Sequence, residues 1–228
     1  MLDTSMLINN RDVGATGGKT FERLNPISGK AASRAAAATV DDAISAADAA
    51  AAAFPAWSEM GPGERRALLF KAADLMESRA AEFIAAMTAE IGAAAGWAHF
   101  NMHLAAGMLR EAGAMTTQIS GEVIPSDVPG LMAMGYRQPV GVVLGIAPWN
   151  APIILGVRAI AMPLACGNTV ILKASELCPK THCLIGEIMR EAGFPPGVVN
   201  VVTNAPKDAA VIVEALIAHP AVRRINFT

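Results

Sequence analysis

The chain of 228 residues is 53% hydrophobic and 17% charged with a net charge of -2, so its charge gives no indication of a nucleic acid or other polyanionic partner. The longest apolar stretch, residues 151–166, contains Arg158 and Pro163 and is too short to span a bilayer, which argues against a membrane partner. Residues 1–11 lack the pattern of a secretory signal, and an odd number of cysteines, three, argues against a disulfide framework. We therefore expect an α/β protein of the reducing cytoplasm.

Residues 1–30 mix short extended stretches, at 6–8 and 20–24, with turn signals, and helical patterns follow them. Apolar residues at helical spacing predict three helices, over residues 41–54, 64–91 and 97–119. Thr39 is the predicted N-cap of the first helix and Pro55 its predicted end, while Gly92 is a predicted C-terminal cap of the second. The methionine and alanine stripes of these helices are typical of a helical layer facing a core, and not of a cofactor site.

Two extended segments, residues 121–126 and 131–138, follow the helices and flank a turn at 127–130. The second segment carries Met132, Met134 and Tyr136 on one side. Because an exposed hairpin with so much apolar surface is prone to aggregation, we expect it to be an arm that pairs with another subunit. The sequence therefore predicts a homo-oligomer.

A regular β/α rhythm begins at Val140. Unalternated apolar runs predict strands at 141–146, 169–173, 198–202 and 223–227, with helices between them at 152–165, 180–192 and 207–218. This order predicts a parallel, Rossmann-like sheet with right-handed crossovers and with ligands outside the carboxyl ends of its strands. Because no helix follows the last predicted strand, we expect the sequence to be truncated.

Polar side chains lie where the first two of these strands end. Asn150 follows the first strand in a Pro–Trp–Asn turn, and its amide could donate to a developing oxyanion, or form an Asx turn, or cap the next helix. Lys173 ends the second strand and Glu176 follows three residues later, a pair that suits ribose hydroxyls but is also compatible with a solvated ion pair. The cysteines and four histidines show no metal-ligand spacing, so we expect no metal site.

Several motifs together resemble the N-terminal part of an NAD(P)-dependent aldehyde dehydrogenase. They are APWNAP at 147–152, PLACGNT at 163–169, KASE at 173–176, EAGFPPGVVN at 191–200 and NFT at 226–228. Three more, GPGERR at 61–66, WAHFN at 97–101 and RRINFT at 223–228, are most similar to the salicylaldehyde and vanillin dehydrogenase branch, which oxidises aromatic aldehydes to carboxylic acids.

The resemblance implies roles for residues at the carboxyl ends of the predicted strands. It implies that Asn150 is the oxyanion-hole side chain and that Lys173 and Glu176 hold the adenine ribose, with Ser175 beside them. The remaining implied cofactor contacts are Ile146, Ala147, Pro148 and Trp149 on the nicotinamide side, and Phe227 and Thr228 before the pyrophosphate loop. A carboxylate at Glu176 should repel a 2′-phosphate, so the expected cofactor is NAD, with NADP as the alternative.

The resemblance also divides the chain into three parts. Residues 1–120 would be the N-terminal helical part of the cofactor-binding domain, 121–139 the oligomerisation arm, and 140–228 the Rossmann-like NAD-binding core. The catalytic domain of the family, with its nucleophilic cysteine and general-base glutamate, would lie downstream of residue 228.

The sequence departs from the family pattern at two places. Ala174 stands where the family often has proline, and residues 203–206 replace a glycine-bearing turn, which puts backbone contacts to the cofactor there in doubt. Cys166, Cys178 and Cys183 do not match the surroundings of the family nucleophile, and we expect none of them to be catalytic.

The expected function is oxidation of an aromatic aldehyde to the carboxylic acid with NAD(P), through a cysteine thiohemiacetal and a thioester. We expect this chain to be an N-terminal fragment of the enzyme and to be inactive by itself. The alternatives are a non-catalytic nucleotide-binding module, an interaction protein that uses the hairpin, and a CoA-acylating aldehyde dehydrogenase.

Overall fold

The computed structural model describes all 228 residues, which form eleven strands and seven α-helices. The strands are β1 Leu2–Thr4, β2 Met6–Ile8, β3 Arg11–Val13, β4 Thr20–Leu24, β5 Ala31–Ala36, β6 Glu122–Ile124, β7 Ala133–Gly135, β8 Val142–Ile146, β9 Thr169–Lys173, β10 Val199–Val202 and β11 Val222–Phe227. The helices are α1 Val40–Glu59, α2 Pro62–Ser78, α3 Ala80–Ile91, α4 Ala95–Met115, α5 Pro152–Ala165, α6 Pro179–Ala192 and α7 Ala209–Ala218.

The main sheet has the strand order β11-β8-β9-β10-β2-β3. Its first four strands are parallel, which confirms the predicted parallel sheet, and β2 and β3 extend it antiparallel. In the register, Ile146 lies beside Lys173, and Lys173 lies beside Val202. The carboxyl ends of β8, β9 and β10 are therefore level, and the loops that follow them share one edge of the sheet.

Each face of this sheet is covered by helices. On one face α5 and α6 pack against side chains such as Val143 and Leu172, and the helical layer of α2, α3 and α4 packs over them. On the other face α1 and α7 pack against Leu144 and Ile171. Burial on both faces explains why the strands are apolar without alternation. None of the helices is both long and apolar enough to cross a membrane.

The predicted single helix over residues 64–91 is two helices, separated at Arg79, where φ is -100° and ψ 18°. Both helices contact α4 and α6, and the change of direction lets α3 also contact β5. At the break, the Arg79 guanidinium forms ion pairs with Glu82, Glu187 and Glu191 at 2.7, 3.1 and 3.0 Å. These pairs raise the pKa of Arg79, first through the hydrogen bond to Glu82.

Helix α1 begins as predicted but does not end at Pro55. Thr39 and Asp42 form a reciprocal capping box at its start, which confirms the predicted N-cap. An interior proline costs a helix about 3 kcal/mol. Here Trp57, two residues further on, is 1% exposed and packs on Phe194 with ring centroids 5.4 Å apart, and this tertiary contact stabilises the last turn.

Strand β5 has the sequence AASRAA and was not predicted, because alanine has little preference for strands. It becomes a strand because β1 pairs with it in parallel on one side and β4 antiparallel on the other. Smaller differences concern helix ends, since α7 begins only after a 3-10 turn at Pro206–Asp208 and α4 spans Ala95–Met115.

The predicted hairpin is present as β6 and β7, paired antiparallel with Val123 opposite Met134. Its apolar side chains lie in solvent, and Met132 and Tyr136 are 73% and 85% exposed. The hairpin therefore presents an apolar surface that no other part of the chain covers.

Glu90 of α3 is completely buried and caps the N-terminus of α6, because the N-cap residue of α6 itself forms no capping hydrogen bond. The backbone N–H groups of Lys180 and Thr181 donate to its carboxylate at 2.8 and 3.0 Å, and the hydroxyls of Thr181 and Ser33 donate at 2.7 and 2.6 Å. Burial raises the pKa of Glu90, and these four hydrogen bonds oppose that rise. One carboxylate thus joins α3, α6 and β5.

We expect Glu90→Gln to destabilise the fold by about 2–4 kcal/mol, because the amide nitrogen of glutamine cannot accept a hydrogen bond from the helix N–H groups. Urea denaturation of the chain measures this free energy of unfolding. Glu82→Gln, an exposed carboxylate on the same helix, is the matched control and should cost less than about 1 kcal/mol. Equal losses in both variants would contradict the capping role.

Candidate active site

The point at which the sheet reverses its strand order lies between β8 and β11. From β8 the chain passes through α5 to β9 on one side, whereas α7 leads to β11 on the other side. A parallel α/β sheet has its binding crevice at such a point, outside the carboxyl ends of the strands. Phe227 lies beside Ile146 there, and the Thr228 N–H donates to the Ile146 carbonyl at 3.3 Å. The structure therefore brings together two predicted site segments that are far apart in sequence.

The turn after β8 presents Trp149 and Asn150 to solvent at this edge, while Ala147 is buried and Pro148 half-buried. Ala151, not Asn150, is the N-cap of α5, and no side chain caps that helix, so the capping alternative for Asn150 is wrong. The backbone carbonyl of Asn150 is held instead, since Trp97 Nε1 donates to it at 3.1 Å. This arrangement leaves the Asn150 amide exposed at the carboxyl end of the strand.

Trp97 is a residue whose position the sequence did not indicate, because the 97–119 pattern predicted only core. It lies in the first turn of α4 and stacks on Phe100, with ring centroids 5.5 Å apart and 18° between the planes. The two side chains are 44% and 50% exposed. A half-exposed aromatic pair therefore lies next to the Asn150 turn.

Lys173 and Glu176 form an ion pair, with Nζ and Oε2 3.1 Å apart. It is not a solvated surface pair, because the Lys173 side chain is only 7% exposed and that of Glu176 30%. Burial raises the pKa of Glu176, but its own backbone N–H and the charge of Lys173 lower it further, so the net shift is downward. The pair offers a charged donor and an acceptor on the same sheet edge as the Asn150 turn.

Ser175, between these two residues, is buried. Its Oγ accepts from the Leu177 N–H at 3.3 Å, and its own N–H donates to His182 Nδ1 at 3.0 Å. The hydroxyl thus stabilises the loop conformation, and a contact between Ser175 and a cofactor stays a prediction.

Residues 203–206, which depart from the family pattern, are mostly buried, and Thr203 Oγ1 donates to the Ala36 carbonyl of β5 at 2.7 Å.

The three cysteines are poor candidates for a nucleophile. Cys178 and Cys183 are buried, and burial raises the pKa of both, that of Cys183 to about 12. Cys166, at the far end of α5, is half-buried, and burial raises its pKa as well, despite the opposing charge of Arg65. Because the thiolate is the nucleophile, none of them is ready to attack a carbonyl at neutral pH.

Two sizeable cavities lie outside the crevice. One of about 490 Å³ is bordered by Lys19, Lys180 and Arg190, whose last two side chains pair with Glu187 and Asp12. The other, of about 820 Å³, lies at the base of the hairpin, beside Arg65 and Arg137. Neither cavity is lined by a residue that the sequence predicted as a catalytic or cofactor-binding residue.

The chain is similar to known proteins along its length, and the family model described as the aldehyde dehydrogenase family matches residues 13–228. A vanillin dehydrogenase of Pseudomonas sp. (strain HR199 / DSM 7063) is 61% identical over 228 residues, which are 100% of this chain and 47% of that protein. The crystal structure of a salicylaldehyde dehydrogenase from Pseudomonas putida G7, complexed with salicylaldehyde, has a TM-score of 0.98 at 48% identity and covers 100% of this chain and 47% of that one.

A further crystal structure, that of PnpE in complex with nicotinamide adenine dinucleotide, has a TM-score of 0.93 at 37% identity, covering 98% of this chain and 45% of that chain. The chain spans about half the length of the curated relatives it matches.

We expect Lys173→Met to lower the free energy of unfolding by about 1–2 kcal/mol at neutral pH, because the Glu176 carboxylate loses its buried partner. The pKa of Glu176 is depressed in the folded state, so the stabilisation is present above its ordinary value of 4.5 and is lost as the pH falls through the folded value. The difference between wild type and variant should therefore shrink below pH 4.5.

Urea denaturation at several pH values measures this difference. Arg34→Gln, which breaks the exposed pair with Glu22, is the control and should change stability by less than about 1 kcal/mol at any pH. A loss in Lys173→Met that stays constant with pH would show that the ion pair does not stabilise the loop.

Proposed function

The chain belongs to the aldehyde dehydrogenase family, and from this premise we propose that the whole protein oxidises an aromatic aldehyde to its carboxylic acid with NAD. The observation that carries the proposal is the exposed Asn150 amide at the carboxyl end of β8, beside the point where Ile146 and Thr228 meet. That amide lies where a ligand of a parallel sheet binds, and its backbone is fixed by Trp97.

The residues of the crevice fit a dinucleotide. Lys173 and Glu176 present a donor and an acceptor that can bind two neighbouring ribose hydroxyls, each of which both donates and accepts. Ile146, Pro148 and Trp149 offer apolar surface for the nicotinamide, while Ala147 is buried among them, and Phe227 and Thr228 lie at the end of the neighbouring strand β11. The anionic carboxylate of Glu176 disfavours a 2′-phosphate, which supports NAD over NADP. When bound, NAD would accept the hydride from the substrate carbon.

The role proposed for Asn150 follows from its amide. In the reaction a thiolate attacks the aldehyde carbon, the carbonyl oxygen becomes an oxyanion, and the Asn150 amide donates a hydrogen bond to that oxygen. Loss of hydride turns the thiohemiacetal into a thioester, which water hydrolyses to the acid and the free thiol. Because burial raises the pKa of the three thiols of this chain, we propose that the nucleophile lies outside residues 1–228.

The proposed substrates are aromatic aldehydes. The stacked Trp97 and Phe100 are half-exposed next to the Asn150 turn and could hold an aromatic ring by stacking. The relatives named for vanillin and salicylaldehyde support the same class.

We also propose a cytoplasmic location, which is supported by three free cysteines that form no disulfide.

We expect Asn150→Ala in the whole protein to reduce kcat about 10²–10³-fold while the Kd for NAD changes little, because only the oxyanion loses its donor. Formation of NADH from an aromatic aldehyde, followed by absorbance, measures kcat, and calorimetry measures Kd for NAD and NADP. Gln118→Ala, an exposed amide outside the crevice, is the control.

Several results would change the proposal. An unchanged kcat in Asn150→Ala would overturn the oxyanion role, and tighter binding of NADP than NAD would overturn the role of Glu176. Product appearing as an acyl-CoA and not as free acid would favour the CoA-acylating alternative.

We further propose that the β6–β7 hairpin pairs with a second copy of the chain, because its exposed apolar side chains have no partner within the chain. The double variant Val123→Glu, Met134→Glu places two charges on one cross-strand pair and should reduce the oligomer of the whole protein to a smaller species in sedimentation velocity. Ile217→Glu, an exposed apolar residue of α7, is the control. An unchanged mass in the double variant would exclude the hairpin as the interface.

A further inference from the structure

His182 lies at the end of the first turn of α6, is completely buried, and contacts both of the loops that form the proposed crevice. Its Nδ1 accepts a hydrogen bond from the Ser175 N–H at 3.0 Å, within the Lys173–Glu176 loop. Its Nε2 lies 3.1 Å from the carbonyl oxygen of Pro152, immediately after the Asn150 turn. One imidazole ring therefore joins the loop after β9 to the turn after β8.

The two contacts define the state of the ring. Since a backbone N–H can only donate, Nδ1 is the unprotonated acceptor of the Ser175 hydrogen bond, and Nε2 carries the proton and donates to Pro152. This neutral tautomer satisfies both backbone groups. Burial lowers the pKa of His182 to about 4, although the hydrogen bond to Pro152 raises it, with Lys173 lowering it and Glu176 raising it, so the ring is neutral at neutral pH.

The surroundings leave the ring little freedom. Gly156 of α5 faces it, and a Cβ at that position would come within 3.1 Å of His182 Cδ2 and 2.5 Å of Ile185 Cδ1. The absence of a side chain at Gly156 lets α5 and α6 approach closely enough for the ring to reach the first turn of α5. The imidazole is thus fixed by packing as well as by hydrogen bonds.

We propose that His182 is a positioning residue that sets the spacing between the oxyanion turn around Asn150 and the ribose loop of Lys173 and Glu176. The proposal rests on the function proposed above. It assigns one hydrogen bond of the ring to each half of the crevice, with the Pro152 contact serving catalysis and the Ser175 contact serving binding of NAD.

Two substitutions separate these hydrogen bonds. In His182→Asn the amide oxygen takes the place of Nδ1 and can accept from Ser175, but the side chain is too short to reach Pro152. In His182→Gln the amide nitrogen takes the place of Nε2 and can donate to Pro152, while the Ser175 N–H loses its acceptor. Ile185→Val, which trims the same buried face of α6 without touching a hydrogen bond, is the matched control for loosened packing.

In the whole protein we expect His182→Asn to lower kcat about 10-fold to 100-fold with the KM for NAD nearly unchanged, because the turn that carries Asn150 is displaced. We expect His182→Gln to raise the KM for NAD about tenfold with kcat nearly unchanged, because the loop of Lys173 and Glu176 loses its anchor. Ile185→Val should change neither by more than about twofold.

Hydrogen exchange gives a readout that does not require activity. The Ser175 amide should exchange about tenfold or more faster in His182→Gln than in wild type, and at the wild-type rate in His182→Asn. If the wild-type protein oxidises no aldehyde, the proposed function fails, whereas this exchange pattern still decides whether His182 anchors the loop. If both variants lose kcat and affinity for NAD together, or if the Ser175 amide exchanges alike in both, the positioning role is overturned.

Discussion

The parallel pairing of β8 with β9 on one side and β11 on the other is the constraint on which the rest of the structure depends. Because the strands are parallel and level, the segments that follow Ile146, Lys173 and Phe227 leave the sheet at one edge. Helices on both faces bury these strands, so the register cannot slip without moving apolar side chains out of the core. The position of the proposed crevice follows from this register and from the reversal of strand order at β8.

Long-range hydrogen bonds from buried polar side chains hold the ends of the elements in place. Asn168 Oδ1 accepts from the N–H groups of Val140 and Gly141 at the start of β8, and Asn200 Oδ1 accepts from the N–H of Asn9. Glu90 caps α6 from α3 in the same way. A chain that is 53% hydrophobic thus uses its few buried polar groups mainly to satisfy backbone groups, which otherwise would be costly to bury.

These buried hydrogen bonds explain how the proposed site can have a rigid backbone while its side chains are exposed. Asn150, Trp149 and Phe227 present their side chains to solvent, yet the backbone around them is tied to α4 by Trp97 and to the sheet by strand pairing. Transition-state stabilisation by an amide requires such prior positioning, because a donor that must reorganise contributes less. In the proposed function these residues would bind and orient the ligands, and the proposed covalent chemistry requires a thiol in a different environment from the three described.

The sequence by itself determined the α/β class, the order of strand, turn and helix after Val140, the Thr39 cap, the hairpin and the family, because each rests on local periodicity or on contiguous motifs. It could place Asn150, Lys173 and Glu176 at strand ends for the same reason. Only the tertiary structure decided that α1 continues through Pro55 and that alanine-rich β5 is a strand. It also decided that Trp97, His182 and Glu90 form hydrogen bonds with the turns, loops and helix around the proposed site. Each of these depends on partners distant in sequence, such as Trp97 with Asn150 or Glu90 with Thr181. A contact between residues distant in sequence leaves no periodic signal in either segment, because it is created by the packing of elements that form independently.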